Sequence, residues 1–183
     1  DEIEAMIAFA TRELGRVDIV VNNAGIQHTA PVEEFPVDRW DAIIAINLSA
    51  AFHAIRAALP QMKARGWGRI INIASVHGLV ASSNKAAYVA AKHGLIGLTK
   101  VVALETATSG VTCNAIAPGF FPTPLTAKVF ADEARAAKNA AQTAIGRNGA
   151  LDDLAGVTVF LASDASGYVT GQTLAVDGGF TAK

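Results

Sequence analysis

A single cysteine, Cys113, is all the thiol chemistry in this chain of 183 residues. One thiol forms no internal disulfide and is a poor start for a metal site, so a disulfide-stapled secreted scaffold is excluded and a reducing cytoplasm is expected. Excess charge of either sign is also missing: 15 Lys and Arg stand against 16 Asp and Glu, a formal net charge of −1. That balance excludes a nucleic-acid binder working through bulk positive charge, and equally an acidic disordered chain. No uninterrupted apolar run of about 18 residues occurs, and Asp1, Glu2 and Glu4 stand where a signal peptide carries positive charge. Neither a membrane partner nor export is therefore expected. Internal repeats, low-complexity stretches and Pro/Ser-rich linkers are absent as well. What the chain does have is a hydrophobic share of 51% against 17% charged residues, enough apolar material for one core and one domain.

Helix-like stretches alternate with short apolar runs. Ile3, Met6, Ile7, Phe9, Ala10 and Leu14 make one helical face over residues 1–14, with Gly15 as C-cap, and Val17 to Val21 follows as a strand. Asp38 is expected to cap a long helix through Trp40, Leu48, Phe52 and Leu59, broken at Gly66 and Gly68. Arg69 to Ala74 is a second buried strand, residues 83–108 a second long helix rich in small residues, and Val111 to Ala117 a third strand stopped by Pro118-Gly119. Residues 123–145 have the composition of an Ala-rich helical lid, Asp152 to Ala162 that of a helix, and Thr173 to Val176 that of a last strand. Strands spaced by such helices imply right-handed crossovers, hence an α/β fold with a doubly wound parallel sheet, Rossmann-like. Such folds that bind dinucleotides normally open on a strand and a Gly-rich turn, whereas this sequence opens on a helix with no G-x-G-x-x-G before Gly15.

Tyr88 and Lys92 stand at i and i+4 on one helical face. An ammonium near a phenol favours the phenolate, which makes a tyrosine usable as a general acid/base. Ser75 ends a buried strand, so its hydroxyl lies at the carboxyl edge of the sheet, where doubly wound folds hold ligands.

With these, Asn22-Asn23-Ala24-Gly25, Asn47, Ile71-Asn72-Ile73-Ala74-Ser75, Tyr88-x-x-x-Lys92 and Asn114-x-x-x-Pro118-Gly119 occur in the order found in the short-chain dehydrogenase/reductase family, which the chain resembles along essentially its whole length. The resemblance implies a catalytic tetrad of Asn47, Ser75, Tyr88 and Lys92. Tyr88 would move the proton while a nicotinamide moves the hydride, and Ser75 would hold the substrate oxygen. Lys92 would tune Tyr88 and bind the nicotinamide ribose; Asn47 would hold a water of the proton relay. It places Asn22, Ala24, Gly25, Pro118 and Gly119 beside the cofactor, taken as NAD with NADP open, and requires no metal. The family's Gly-rich turn, carried by βαβ units of about 30 residues each, is expected ahead of Asp1. On that reading residues 1–183 form a single domain without its N-terminal dinucleotide-binding part. Alone they should leave Val17 to Val21 as an apolar edge and bind a dinucleotide poorly.

Within the family the motifs Gly25-Ile26-Gln27-His28-Thr29-Ala30, Ser75-Val76-His77-Gly78-Leu79-Val80 and Asn84-Lys85-x-x-Tyr88 are most similar to bacterial D-3-hydroxybutyrate dehydrogenases. That likeness implies carboxylate binding by Gln27, His77 and Lys85, and leaves His28, His53 and His93 structural. Two departures stand against it: Val129 occupies the place of a lid glutamine, and Phe120 that of a tryptophan. The lid, residues 120–149, is short and ends Ile145-Gly146-Arg147, more like gluconate 5-dehydrogenases and oxoacyl reductases. The expected function is thus interconversion of 3-hydroxybutyrate and acetoacetate. The alternatives are a sugar-acid dehydrogenase or 3-oxoacyl reductase and, outside the enzymes, a catalytically silent binding module. By resemblance the assembly is a cytoplasmic homotetramer, with Gly167 to Gly179 and Phe180 to Lys183 near subunit contacts and active sites.

Overall fold

The computed structural model describes residues 2–182, so the expectations placed on Asp1 and Lys183 lie outside the described residues. Four parallel strands form one sheet in the order β1 (Ile19–Asn22), β2 (Gly68–Ile73), β3 (Val111–Pro118), β4 (Thr173–Val176). Val20 pairs with Ile70, Ile70 with Cys113, and Ile116 with Leu174. Alternation along β2 sends neighbouring isoleucines to opposite faces. Ile70 joins Val20, Met62, Val102 and Cys113 in the core under helices α1 (Glu2–Leu14), α3 (Ala50–Arg65) and α4 (Ala86–Thr106). Ile71 joins Ile116 and Leu161 under helix α7 (Ala155–Ala162). Helices on both faces of a parallel sheet are the doubly wound arrangement expected from the alternation of elements.

Three boundaries depart from the sequence reading, each for a local reason. Asp38 is not the N-cap of its helix: helix α2 spans Val37–Ile44 with Pro36 before it, and Asp38 sits in the first turn, where its charge still suits the helix dipole. The long helix is also not uniform, because Ala45–Ser49 winds as a π-helical segment between α2 and α3, with Ala50 N–H donating to Ala45 O. Helix α4 begins at Ala86 rather than at residue 83, since Asn84 has φ +64°, a left-handed conformation that asparagine tolerates but a helix does not. Gly15 does turn the chain after α1, with φ +84°.

The α2–α3 stretch and α4 are long and apolar enough to cross a bilayer by length and composition alone. Both pack on this sheet, with Ala51, Ile55, Met62, Leu95, Val102 and Ala103 buried against it, which is the behaviour of core helices. After β3 the chain forms two short helices, α5 (Ala127–Phe130) and α6 (Glu133–Ala141), before α7. The edge strand β1 leaves Ile19 and Val21 exposed.

Candidate active site

The carboxyl end of β2 delivers Ser75 in extended conformation, and its Oγ accepts a hydrogen bond from His77 N–H at 3.1 Å, fixing a short 3₁₀ turn over Val76–Gly78. That turn presses directly on α4. A Cβ built at Gly78 would stand 2.8 Å from the Lys92 carbonyl oxygen and 2.8 Å from Ile96 Cδ1. Sequence reasoning assigned Gly78 no role, because a close approach between segments leaves no local pattern. Gly78→Ala should push the Ser75 turn off the helix at a cost of about 1–3 kcal/mol, lowering Tm by several degrees and kcat by roughly tenfold. A Tm scan beside steady-state kinetics checks this; unchanged values would mean the turn has slack.

On α4 the i, i+4 spacing places Tyr88 and Lys92 along one side, 7% and 4% exposed. Tyr88 and Ser75 share a hydrogen bond that favours the phenolate, yet burial is the larger influence and pushes the phenol above its ordinary value. Lys92 Nζ lies 5.6 Å from the Tyr88 ring centroid and donates to the Ile73 carbonyl at 2.6 Å. Burial pushes Lys92 itself down to about 8. In this geometry it is the Ser75 hydrogen bond, rather than the expected Lys92 charge, that pulls the phenol downward, and desolvation outweighs it.

Gln27, His77 and Lys85 converge on the same place. Ala30 N–H donates to Asn84 O at 3.0 Å, tying the loop after β1 to the turn that precedes α4 and setting Gln27 beside Lys85. Lys85 Nζ lies 3.1 Å from His77 Nε2. An ammonium only donates, so Nε2 is the acceptor and the imidazole proton resides on Nδ1. Nδ1 makes no hydrogen bond of standard geometry. Burial, and then the Lys85 charge, push His77 down to about 4, with the Val80 backbone pulling the other way. The unfolded chain thus binds a proton that the folded one resists, so this group costs stability as pH falls from 6.5 towards 4 and nothing above that window. Urea titrations of the wild type and His77→Gln should diverge only in that range. Parallel curves would place the histidine in contact with solvent.

Asn47, 2% exposed, spends its amide on the backbone of Ile26: Oδ1 accepts from Ile26 N–H and Nδ2 donates to Ile26 O, each at 2.9 Å. The π-helical segment is what turns it inward from the helix. Asn22 donates to Asn72 at 2.8 Å, while Ala24 lines an opening above β1 and Gly25 lies where a Cβ would stand 3.7 Å from Asn47 Oδ1. Gly119 lies where a Cβ would meet Asp177 Cα at 2.8 Å, so its lack of a side chain first serves packing against the C-terminal turn.

A nicotinamide and its ribose fit part of this edge. Lys92 is a buried ammonium whose Ile73 acceptor takes only one of its three protons, which leaves donors for a diol beside Tyr88. Among the described residues no Gly-rich turn opening a helix stands ready for a pyrophosphate. No three His, Cys, Asp or Glu side chains cluster among the described residues as a metal site would need.

Between the sheet edge and α5–α6 lies a cavity of about 440 Å³ lined by Ser75, Tyr88, Gln27, His77 and Lys85 together with Gly119 and Phe120. Its wall also includes Arg135, Lys138 and Asn139 from α6 and Gln142 just past that helix, which the sequence reading passed over, and Phe180, expected near the active site, whose ring meets Phe120 edge-on at 5.0 Å. Their spacing of i, i+3, i+4 and i+7 was the available signal. Val129, which replaces the expected lid donor, also lines the cavity. A second opening of about 340 Å³, around Ile145, Arg147 and Asp153, has neither Ser75 nor Tyr88 in its walls.

Known proteins share this fold. A family profile described as enoyl-(acyl carrier protein) reductase matches residues 1–181. The D-beta-hydroxybutyrate dehydrogenases of Cupriavidus necator and Rhizobium meliloti are 52% and 50% identical, over 100% of this chain and 74% of theirs. The crystal structure of a gluconate 5-dehydrogenase from Burkholderia cenocepacia, in complex with NADP and tartrate, superposes with a TM-score of 0.96 at 41% identity, covering 99% of this chain and 71% of that one. With a parallel sheet that carries Ser75, Tyr88 and Lys92 at its carboxyl edge, and relatives at this level of identity, the chain belongs to the short-chain dehydrogenase/reductase family of oxidoreductases.

Proposed function

We propose that this oxidoreductase interconverts a short 3-hydroxy acid and its 3-keto acid, 3-hydroxybutyrate and acetoacetate being the simplest pair, with NAD or NADP as partner. The observation that carries this reading is one cavity in which Ser75 and Tyr88 share walls with Gln27, His77 and Lys85. The first pair suits a reacting oxygen; the three others suit a carboxylate close to it. The half-identical D-beta-hydroxybutyrate dehydrogenases support the same substrate class.

When bound, the nicotinamide supplies or accepts the hydride at the carbinol carbon. Ser75 Oγ donates to the substrate oxygen, and Tyr88 Oη gives that oxygen its proton in reduction or removes it in oxidation. Lys92 holds a positive charge behind the phenol and offers its remaining protons to a ribose. Asn47 fixes the Gly25-Ile26 loop and, through it, the approach of Gln27; a water of the proton relay at Asn47 would have to share that amide. Asn22, Ala24 and Gly25 would flank the cofactor, and Pro118 and Gly119 would border its nicotinamide.

A second reading, a sugar-acid dehydrogenase, is favoured by Val129, which takes a donor away from the carboxylate end, and by the gluconate 5-dehydrogenase structure. A cytoplasmic location is part of the first proposal, on the lone buried Cys113. So is a homotetramer, on the apolar side chains Phe52, Val101 and Leu104 exposed along α3 and α4. Absorbance of the reduced cofactor, followed with D-3-hydroxybutyrate and with gluconate, each with NAD and with NADP, tests it. Turnover of gluconate alone would overturn the 3-hydroxy-acid reading.

A further inference from the structure

Helix α6 carries a polar stripe along the cavity: Arg135, Lys138 and Asn139, continued just past its end by Gln142, line it at i, i+3, i+4 and i+7, within one face about 100° wide. Arg135 and Lys138 remain exposed, the Arg135 side chain to 68%, while Asn139 and Gln142 are half-buried. The two cations therefore stand where the cavity opens to solvent, in the path of an entering ligand.

Charge says what kind. Lys85, Arg135 and Lys138 all line the cavity, and no Asp or Glu is among its lining residues. Arg135 leans on Asp132 at 3.1 Å, the residue that caps its own helix, while Lys138 makes no ion pair with a described residue. A single short carboxylate is already provided for at the foot of α4 by Gln27, His77 and Lys85. It leaves Lys138 with no anion in the cavity to meet, while Arg135 shares its charge with Asp132. At about 440 Å³ the cavity also falls within the range that holds ligands larger than a four-carbon acid.

We propose that the preferred substrate carries a second anionic group, a carboxylate at the end remote from Lys85, received by Lys138 and Arg135 with Asn139 and Gln142 at the sides. The inference rests on the 3-hydroxy-acid reading and names its class: a 3-hydroxy dicarboxylic acid. The lid stripe takes over the function that Val129 cannot perform, but for a different oxygen pair.

The test compares D-3-hydroxybutyrate with 3-hydroxyglutarate, which adds a carboxylate beyond the same hydroxyl, in the natural protein and in Arg135→Gln, Lys138→Gln and the double variant. The expected result is a kcat/KM for the diacid at least about tenfold above that for the monoacid. Each substitution should cost the diacid roughly tenfold, through KM, and leave the monoacid within about twofold. Glutarate should raise Tm more than butyrate at equal concentration, and the double variant should lose that difference while keeping its own Tm. A diacid that is no better than the monoacid, or substitutions that lower both substrates alike, would overturn the inference and leave the 3-hydroxy-acid reading standing. Turnover of gluconate and of neither 3-hydroxy acid would overturn that reading, and the inference with it.

Discussion

Tyr88→Phe should lower kcat by about 10²–10⁴-fold in both directions, with KM for the hydroxy acid nearly unchanged. The phenol hydroxyl is the one group on α4 that both reaches the Ser75 hydroxyl and lies in the cavity, and phenylalanine keeps the ring packing while removing the proton. The pH dependence gives the sign. Burial holds the Tyr88 pKa above its ordinary value, so at neutral pH the group is protonated, ready as an acid for reduction and poor as a base for oxidation. Oxidation should therefore climb as pH rises, while reduction should fall only at high alkaline pH. Lys92, pushed down to about 8, loses its charge within the same climb, and loss of that charge raises the phenol further. The oxidation profile should accordingly be flatter than a lone tyrosine would give. In Tyr88→Phe the residual rate should lose its pH dependence altogether. A variant retaining most of kcat and an alkaline climb would assign the proton to another group, and would reopen the silent-module reading that intact Ser75, Tyr88 and Lys92 argue against.

The layers of this molecule were legible in unequal measure. The strand Val111 to Ala117 is legible because both faces of a central parallel strand are buried, so its run is mostly apolar apart from Thr112 and Asn114, whereas Thr173 to Val176, only partly buried at the sheet edge, is marked chiefly by the glycines that follow it. Tyr88 and Lys92 were legible for a different reason: helix geometry alone puts i and i+4 together, and no tertiary fact is needed. Ser75, His77 and Lys85 required two elements to meet, and the meeting was inferred from the place of strand ends in a doubly wound fold. Illegible were the features set by contacts between distant segments. The π-helical turn at Ala45–Ser49 leaves no mark in residue types, yet it points Asn47 at Ile26. The left-handed Asn84 was read as part of the helix over residues 83–108, although it stands before α4 and its carbonyl joins the Gln27 loop to that helix's start. The lid stripe was legible only as a polar spacing over Arg135, Lys138, Asn139 and Gln142; that it borders the cavity follows from how the lid lies over the sheet edge, which no local pattern records.

Lys85→Ala should raise KM for a 3-hydroxy acid by roughly 10–100-fold and change kcat far less, because the lost interaction is one made equally with substrate and transition state. Lys85 is half-buried, and burial lowers its pKa. Its charge is therefore given up at a lower pH than that of an ordinary lysine, and kcat/KM for an acid substrate should fall on that alkaline limb. The limb should vanish in Lys85→Ala, where no charge remains to be lost. His77 decides how well the ammonium is aimed. Its Nε2 accepts from Lys85 Nζ at 3.1 Å, and with a pKa near 4 it stays neutral, hence an acceptor, across the working range of pH. His77→Gln preserves an acceptor and should cost KM only a few-fold, whereas His77→Ala leaves Lys85 without its guide and should approach the effect of removing the lysine. Measured in the double variant, the two losses should be smaller than their product, since both remove one aimed cation. Losses that simply multiply would mean that the histidine touches the substrate on its own account, through an Nδ1 proton held only loosely by the Val80 backbone.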